Sequence, residues 1–130
     1  MTVDIDNLKL EVIDLNKNVL PYITLNKTGV TISTRVIEEL NYPQNVQYCL
    51  DPHQRIFAIR ACKSNEQRAV PFSKSRLEQN KSIHTNNKAI KGSLSKLIEN
   101  FSQDFRYKII GEVDLEHRVI YFDMKNVEKG

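Results

Sequence analysis

The chain has 130 residues, of which 40% are hydrophobic and 27% are charged. This composition is typical of a folded protein and excludes global disorder, and the length suits one compact domain. No apolar run approaches the roughly 20 residues that cross a membrane, and the first residues lack the pattern of a signal peptide. Cys49 and Cys62 stand too far apart for a CxxC motif. We therefore expect a cytoplasmic protein with free thiols and no membrane contact.

The net charge of +3 is unevenly distributed along the chain. Residues 60–96 contain nine Lys and Arg against two Glu, a balance of +7, whereas residues 1–59 and 97–130 each carry −2. A concentrated basic segment can attract phosphate backbones or an acidic protein surface. The alternative is a solvated connector that happens to be rich in lysine, and the charge pattern leaves both interpretations open.

In chain order, the sequence pattern of the first half predicts strands before and after a helix. Residues 8–14 alternate apolar and polar side chains, which is the period of a half-buried strand. An extended run at residues 19–25 leads through a turn to the β-branched residues 30–32. A helix over about residues 34–41 follows, because its apolar side chains share one face. Residues 46–59 then predict a hairpin.

The second half begins with a segment that has little periodicity. Residues 61–81 are polar and basic, and they predict a linker with one short helical turn near residues 73–79. Gly92 and Ser93 are expected to open a second helix that runs to about Phe101. Residues 107–124 predict the last hairpin, and the tail at residues 125–130 is expected to fray.

The second half also looks like a diverged copy of the first. With an offset of 61, Thr34–Leu40 falls on Ser95–Phe101. With an offset of 63, Leu50–Ile59 falls on Val113–Phe122, and the Asp-to-Arg spacing across the turn is preserved. The alternative is coincidence, because two short amphipathic helices and two hairpins always look somewhat alike.

One such unit buries little apolar surface, because a short helix on a two-stranded ribbon is marginal by itself. We therefore predict an α+β fold in which two strand-helix-hairpin repeats pack on each other or form a small barrel. Residues 1–60 would form the N-terminal unit with a leading hairpin, residues 61–81 a basic linker and residues 82–130 the C-terminal unit. Together they would make a single compact domain.

Four stretches, Asn26–Ser33, Arg35–Leu40, Val46–Asp51 and Arg55–Ile59, together resemble the AbrB-type swapped-hairpin family. The shared pattern is a Gly turn, a short β run, a helix and a hairpin with acidic turn residues. The resemblance implies a swapped-hairpin fold, interleaved dimers and the DNA binding of bacterial transcriptional regulators or antitoxins. Some relatives carry two units in one chain. The whole chain is also similar to small proteins encoded by phages and mobile elements of low-GC Gram-positive bacteria.

The chain departs from the family pattern at four positions. The helix-starting proline of the family is Ser33 here, and its helix-ending glycine is Asn41. The helix arginines that meet phosphate in the family fall on Ile37 and Glu38. These departures affect the implied DNA binding more than the implied fold.

The sequence contains no pattern that predicts catalysis. The three histidines are dispersed, and neither HxxxH nor CxxC spacing occurs, so we expect no metal site. No acid, base and nucleophile can be assembled into one set. We therefore expect a protein that is not an enzyme and that has no cofactor and no small-molecule substrate.

Two functions stay open. The first is a non-catalytic DNA-binding regulator of the AbrB-like type, which contacts phosphates through the basic middle segment. The alternative is a protein-binding inhibitor or adaptor encoded by a phage or mobile element, for example an anti-defence protein, that meets an acidic surface without binding DNA. A homodimer is compatible with both. The candidate contact residues are Lys27, Arg35, Arg68, Lys74, Arg76, Lys81, Lys88, Lys91 and Lys96.

Overall fold

A computed structural model describes residues 3–13, 19–79 and 81–130. In these ranges the chain is α+β, as predicted: eight strands form one curled half-barrel sheet, and two helices pack against it. The strands are β1 (Tyr22–Asn26), β2 (Gly29–Ile32), β3 (Asn45–Asp51), β4 (Ile56–Cys62), β5 (Val70–Pro71), β6 (Ile83–Thr85), β7 (Tyr107–Asp114) and β8 (Val119–Lys129). The helices are α1 (Thr34–Glu39) and α2 (Lys88–Leu97), and a 3-10 turn spans Ile5–Asn7.

Neighbouring strands in the sheet follow the order β5-β3-β4-β8-β7-β1-β2-β6, and every ladder is antiparallel. The hairpins β3–β4 and β7–β8 occupy the middle of this order. They meet along the β4–β8 ladder, which pairs Phe57 with Phe122 and Ile59 with Ile120. β5 and β6 lie at the two ends of the order, and no ladder of the described residues joins them.

In both central hairpins, an aspartate at the end of the first strand accepts hydrogen bonds from the backbone of the turn. Asp51 Oδ1 accepts hydrogen bonds from the backbone N–H groups of His53 and Gln54, at 3.0 and 3.2 Å. Asp114 Oδ1 accepts one from the N–H of His117, at 3.2 Å. The bond from the Gln54 backbone holds the pKa of Asp51 below its usual value, and the His117 side chain does the same for Asp114. Local side-chain chemistry therefore sets both turns.

An arginine follows each of these turns and reaches the helix in the other half of the chain. Arg55 Nε donates a hydrogen bond to the carbonyl oxygen of Leu97, the last residue of α2, at 2.7 Å. Arg118 Nη2 donates to the carbonyl oxygen of Leu40, which follows α1, at 2.9 Å. Cations at helix C-termini satisfy free carbonyl groups and complement the helix dipole. Each central hairpin thus caps the C-terminal end of the helix in the other half of the chain.

Arg118→Met is expected to lower the free energy of unfolding by about 1–2 kcal/mol, because it removes a charged donor from the Leu40 carbonyl. The matched control is Arg68→Met. Arg68 and Arg118 have similar positive φ angles, 56° and 51°. Arg68 is exposed and makes no hydrogen bond with its side chain among the described residues. Urea denaturation of the two variants measures the difference. Equal stability would contradict a capping role.

The core is built from residues of both helices and of the sheet. Val36 of α1 and Leu97 of α2 belong to the same buried cluster, so the two halves of the chain share one core. Phe57 and Phe122 stack with ring centroids 5.8 Å apart where the two hairpins meet. Tyr48 packs on Phe57 at 6.0 Å, and burial raises the pKa of its hydroxyl to about 12.

The second helix and the tail differ from their predictions. The second helix begins at Lys88 rather than Gly92, because Asn87 Oδ1 accepts from the N–H groups of Ala89 and Ile90 and so caps it earlier. It also ends at Leu97, before Phe101, so at the offset of 61 the last three of the six residues of α1 fall beyond α2. The tail does not fray: β8 continues to Lys129, and Arg106 and Gly130 exchange two backbone hydrogen bonds.

The first predicted strand is wrong over the described residues 8–13, which pair with no other strand; Asp14 lies outside the described residues. Within the predicted linker at residues 61–81, β5 pairs with β3 and contributes to the sheet. The short turn expected near residues 73–79 is present, since the N–H of Gln79 donates to the carbonyl oxygen of Ser75 at 2.9 Å. The predicted division of the chain at residues 60 and 81 stays a prediction.

Candidate functional site

The turn between β1 and β2 packs directly against the chain that enters α2. Gly29 has a φ of +136°, and a Cβ added there would fall well inside the van der Waals radius of the Thr85 carbonyl oxygen. Only glycine permits this backbone angle and this approach. As a result, the β1–β2 turn and the N-terminal end of α2 are neighbours on the surface.

Three of the predicted contact residues meet here. Lys91 Nζ donates a hydrogen bond to the carbonyl oxygen of Lys27 at 2.8 Å, although the two residues are 64 positions apart in the chain. Lys88 lies one helical turn before Lys91, and residues at this spacing are neighbours on a helix surface. We call Lys27, Lys88 and Lys91 the turn-helix patch. Among the described residues, none of the three forms an ion pair.

Further basic side chains border the turn-helix patch from the C-terminal part of the chain. Arg106 lines an open cleft of about 350 Å³ together with Lys27, and Asp104 lines the same cleft. Lys129 Nζ lies 4.1 Å from the centroid of the Phe105 ring, and Lys129 pairs with Tyr107 across the β7–β8 ladder. The sequence interpretation missed Arg106 and Lys129, because residues 97–130 are acidic overall and only the strand register brings these two to the patch.

Arg35 is neutralised rather than free. Its guanidinium group lies 3.3 Å from a carboxylate oxygen of Glu38 and 2.8 Å from one of Glu39, both on α1. Spacings of three and four residues on a helix favour such pairs. Arg35 also shares an open cleft of about 490 Å³ with Lys81, away from the residues of the turn-helix patch. The structure therefore separates Arg35 from Lys27, with which the family resemblance had grouped it.

The other predicted cations occupy three separate places, and all are exposed. Lys74, Arg76 and Lys81 belong to the connector between β5 and β6, which spans residues 72–82. Arg76 borders a small cleft with Glu38. Arg68 lies in the loop between β4 and β5, and Lys96 lies in the last turn of α2. The predicted basic segment is thus divided among several surfaces.

One group of possible metal ligands lies in the β7–β8 turn. Ligand atoms of Asp114, Glu116 and His117 all lie within 4.8 Å of one another, and no other such group occurs in the part of the chain that the structure describes. His117 Nδ1 is 2.7 Å from Asp114 Oδ2. Asp114 also accepts the backbone hydrogen bond that shapes the turn. Turn geometry accounts for this arrangement.

Neither α1 nor α2, the helices of the described residues, is long and apolar enough to cross a membrane. Cys49 and Cys62 are free thiols, as predicted. No family model matches this chain, and neither a curated protein nor a solved structure does.

Proposed function

We propose that this protein is a non-catalytic DNA-binding protein of the AbrB-like, swapped-hairpin type, and that it contacts the phosphate backbone through the turn-helix patch. The observation that carries the proposal is the contact of Lys91 with the turn that bears Lys27, with Lys88 one helical turn away. Clustered like charges repel one another, and an anionic partner removes that repulsion. A phosphate backbone supplies regularly spaced anions that match such a cluster.

Two features of the sheet support the swapped-hairpin part of the proposal. The hairpin register repeats at the offset of 63, since Asp51 pairs with Ile56 and Asp114 pairs with Val119. The β4–β8 ladder also maps onto itself under this offset, about the pair formed by Ala58 and Tyr121. A duplicated unit whose hairpins exchange around a pseudo-twofold axis has this register. The crosswise hydrogen bonds of Arg55 and Arg118 agree with it.

The proposed contact is with phosphates rather than with bases. The lysines of the patch are flexible point charges on an exposed turn and a helix end, and such groups position a protein on a duplex without reading its sequence. Three phosphate contacts predict a slope of about −2.7 for the logarithm of the binding constant against the logarithm of salt concentration. Between 50 and 200 mM salt, this slope lowers affinity about 40-fold.

The test compares two double variants that remove the same charge. Lys27→Gln with Lys88→Gln alters the patch but keeps Lys91, whose contact with the turn is structural. Lys63→Gln with Lys96→Gln is the control, since both lysines are exposed and lie elsewhere. Fluorescence anisotropy with a labelled duplex is recorded at the two salt concentrations. The patch variant is expected to lose about tenfold in affinity and about two units of salt slope.

Equal losses in the two double variants would contradict the assignment to the turn-helix patch. No binding by the unaltered protein at 50 mM salt would contradict the proposed function itself. In that case, a folded protein without affinity for DNA would instead favour the second candidate, an inhibitor or adaptor that meets an acidic protein surface.

A further inference from the structure

The N-terminal arm, defined here as residues 3–13 with Val19 and Leu20, carries an unusual amount of exposed apolar surface. Eight of the thirteen exposed large hydrophobic side chains of the described chain lie in it. Leu10 is 74% exposed and Val12 is 98% exposed. Scattered exposed apolar residues are normal on a protein surface, but a concentration of this kind marks an interaction site.

The backbone of the arm is also free to pair. Residues 9–13 form no ladder and make no backbone hydrogen bond with any described residue. Leu8, Leu10 and Val12 alternate with Lys9 and Glu11, so in an extended conformation the three apolar side chains fall on one face. The segment therefore has the pattern of a half-buried strand but pairs with no other strand of the described residues.

The central sheet offers a place for such a strand. Its last strand is β6, which forms a ladder with β2 and, among the described residues, with no other strand. Ile83 of β6 packs against the core but stays partly exposed, and so does Phe72 beside β5 at the other end of the sheet. A strand added along β6 would cover Ile83 with the apolar face of the arm. We call this free side of β6 the open edge.

Charge and position favour the N-terminal arm as the segment that pairs with the open edge. Residues 3–13 carry three acidic side chains and one lysine, a balance of −2. Residues 72–85 carry three basic side chains, Lys74, Arg76 and Lys81, and one glutamate, a balance of +2. The arm leaves the fold next to the open edge, because Val19 lines the same cleft as Lys81 and Ser82.

We propose that the arm of one copy adds as a strand to the open edge of a second copy, and that the reciprocal exchange makes a twofold dimer. Within a single chain the apolar side chains of the arm are exposed, so the open edge of the same chain does not cover them. Two bare basic edges would repel each other, and the acidic arm placed between them removes this repulsion. Strand addition at a free edge supplies backbone hydrogen bonds, and a symmetric pair closes without leaving a free arm.

This inference goes beyond the proposed DNA binding and does not depend on it. The turn-helix patch adjoins the end of β6, where Thr85 packs against the β1–β2 turn, and the dimer would carry two such patches. Oligomeric state and DNA affinity are measured separately, and either can fail without the other.

The first test uses the full chain with Leu10→Asp. Its matched control is Leu115→Asp, since Leu10 and Leu115 are 74% and 69% exposed and neither change disturbs the core. Sedimentation equilibrium over a concentration series gives the dissociation constant of the dimer. Leu10→Asp is expected to raise it at least about tenfold, because a carboxylate would be placed in the apolar contact. A monomeric unaltered protein, or equal constants for the two variants, would overturn the proposal.

A second test separates exchange between copies from docking within one chain. Chains with Val12→Cys are mixed with chains carrying Ser82→Cys and oxidised, with the unaltered protein as the control for Cys49 and Cys62. A disulfide between the two different chains is the expected product. When both substitutions are on one chain, closure within that chain at high protein concentration would show that the arm covers its own edge. That result would overturn the exchange.

Discussion

Phe122→Ala is expected to lower the free energy of unfolding by about 3–5 kcal/mol, the range for truncating a buried phenylalanine. Phe122 is fully buried and sits where the two central hairpins meet. Its ring stacks on that of Phe57 from β4. On its other side it pairs with Gly111 of β7, and a Cβ added to Gly111 would lie only 2.7 Å from the Phe122 ring. Truncation would therefore open a cavity between both hairpins, and the surrounding backbone cannot collapse into it without separating paired strands.

The matched control is Tyr121→Ala, one position earlier on the same strand. Tyr121 points to the other face of the sheet, is 37% exposed and donates a hydrogen bond to Glu112. Its loss is expected to cost less than about 1 kcal/mol. Urea denaturation followed by circular dichroism compares the two variants. If Phe122→Ala costs no more than Tyr121→Ala, the hairpins are not held together through this packing.

Local chemistry explains which elements could be predicted from the sequence. The turns at Asp51 and Asp114 use hydrogen bonds between residues two or three positions apart, so the residues that set them are visible in a short window. The same holds for the turn before Gly29, where Asn26 Oδ1 accepts a hydrogen bond from the backbone N–H of Thr28. For α2 the sequence predicts a start at Gly92 and Ser93, four residues too late, because Asn87 is the residue that caps the helix.

Long-range pairing explains what the sequence did not reveal. β5 has only two residues in its ladder and no periodicity, and it becomes a strand because β3 lies beside it. The polar end of β8 stays ordered because it pairs with Tyr107–Ile109 beyond an irregularity between Ile109 and Gly111. The apolar alternation of residues 8–13 predicts a strand, but no partner for it occurs among residues 3–13, 19–79 and 81–130.

The candidate site also has one part that local sequence predicts and one part that depends on long-range contacts. The ion pairs of Arg35 could have been inferred, because Glu38 and Glu39 stand three and four positions further along a predicted helix. The contact between Lys27 and Lys91 could not, because it joins residues 64 positions apart. A charge balance over residues 60–96 therefore located a basic region without showing which of its lysines share a surface.

Gly29→Ala is expected to destabilise the fold by about 3–5 kcal/mol, because backbone strain and a steric clash combine. A φ of +136° lies in a region that alanine rarely adopts. The added methyl group would also collide with the backbone oxygen of Thr85, and a backbone atom at the junction of β6 and α2 cannot move aside as a side chain can. The chain must then displace the β1–β2 turn from the N-terminal end of α2.

Gly92→Ala is the matched control, because nothing lies within 4 Å of a Cβ at that position in α2. It is expected to stabilise the protein by about 0.5–1 kcal/mol through helix propensity. Thermal and urea denaturation of both variants give the two free energies. Similar stabilities would contradict the close approach of the β1–β2 turn to Thr85.

The same pair of variants also tests the turn-helix patch without changing any charge. If the approach at Gly29 holds Lys27 beside Lys91, then Gly29→Ala weakens duplex binding at a temperature where the variant is still folded. Gly92→Ala leaves duplex binding unchanged, because Gly92 is exposed and the turn keeps its position. A folded Gly29→Ala protein with full affinity and an unchanged salt slope would mean that phosphate contact does not require the lysines to be held together.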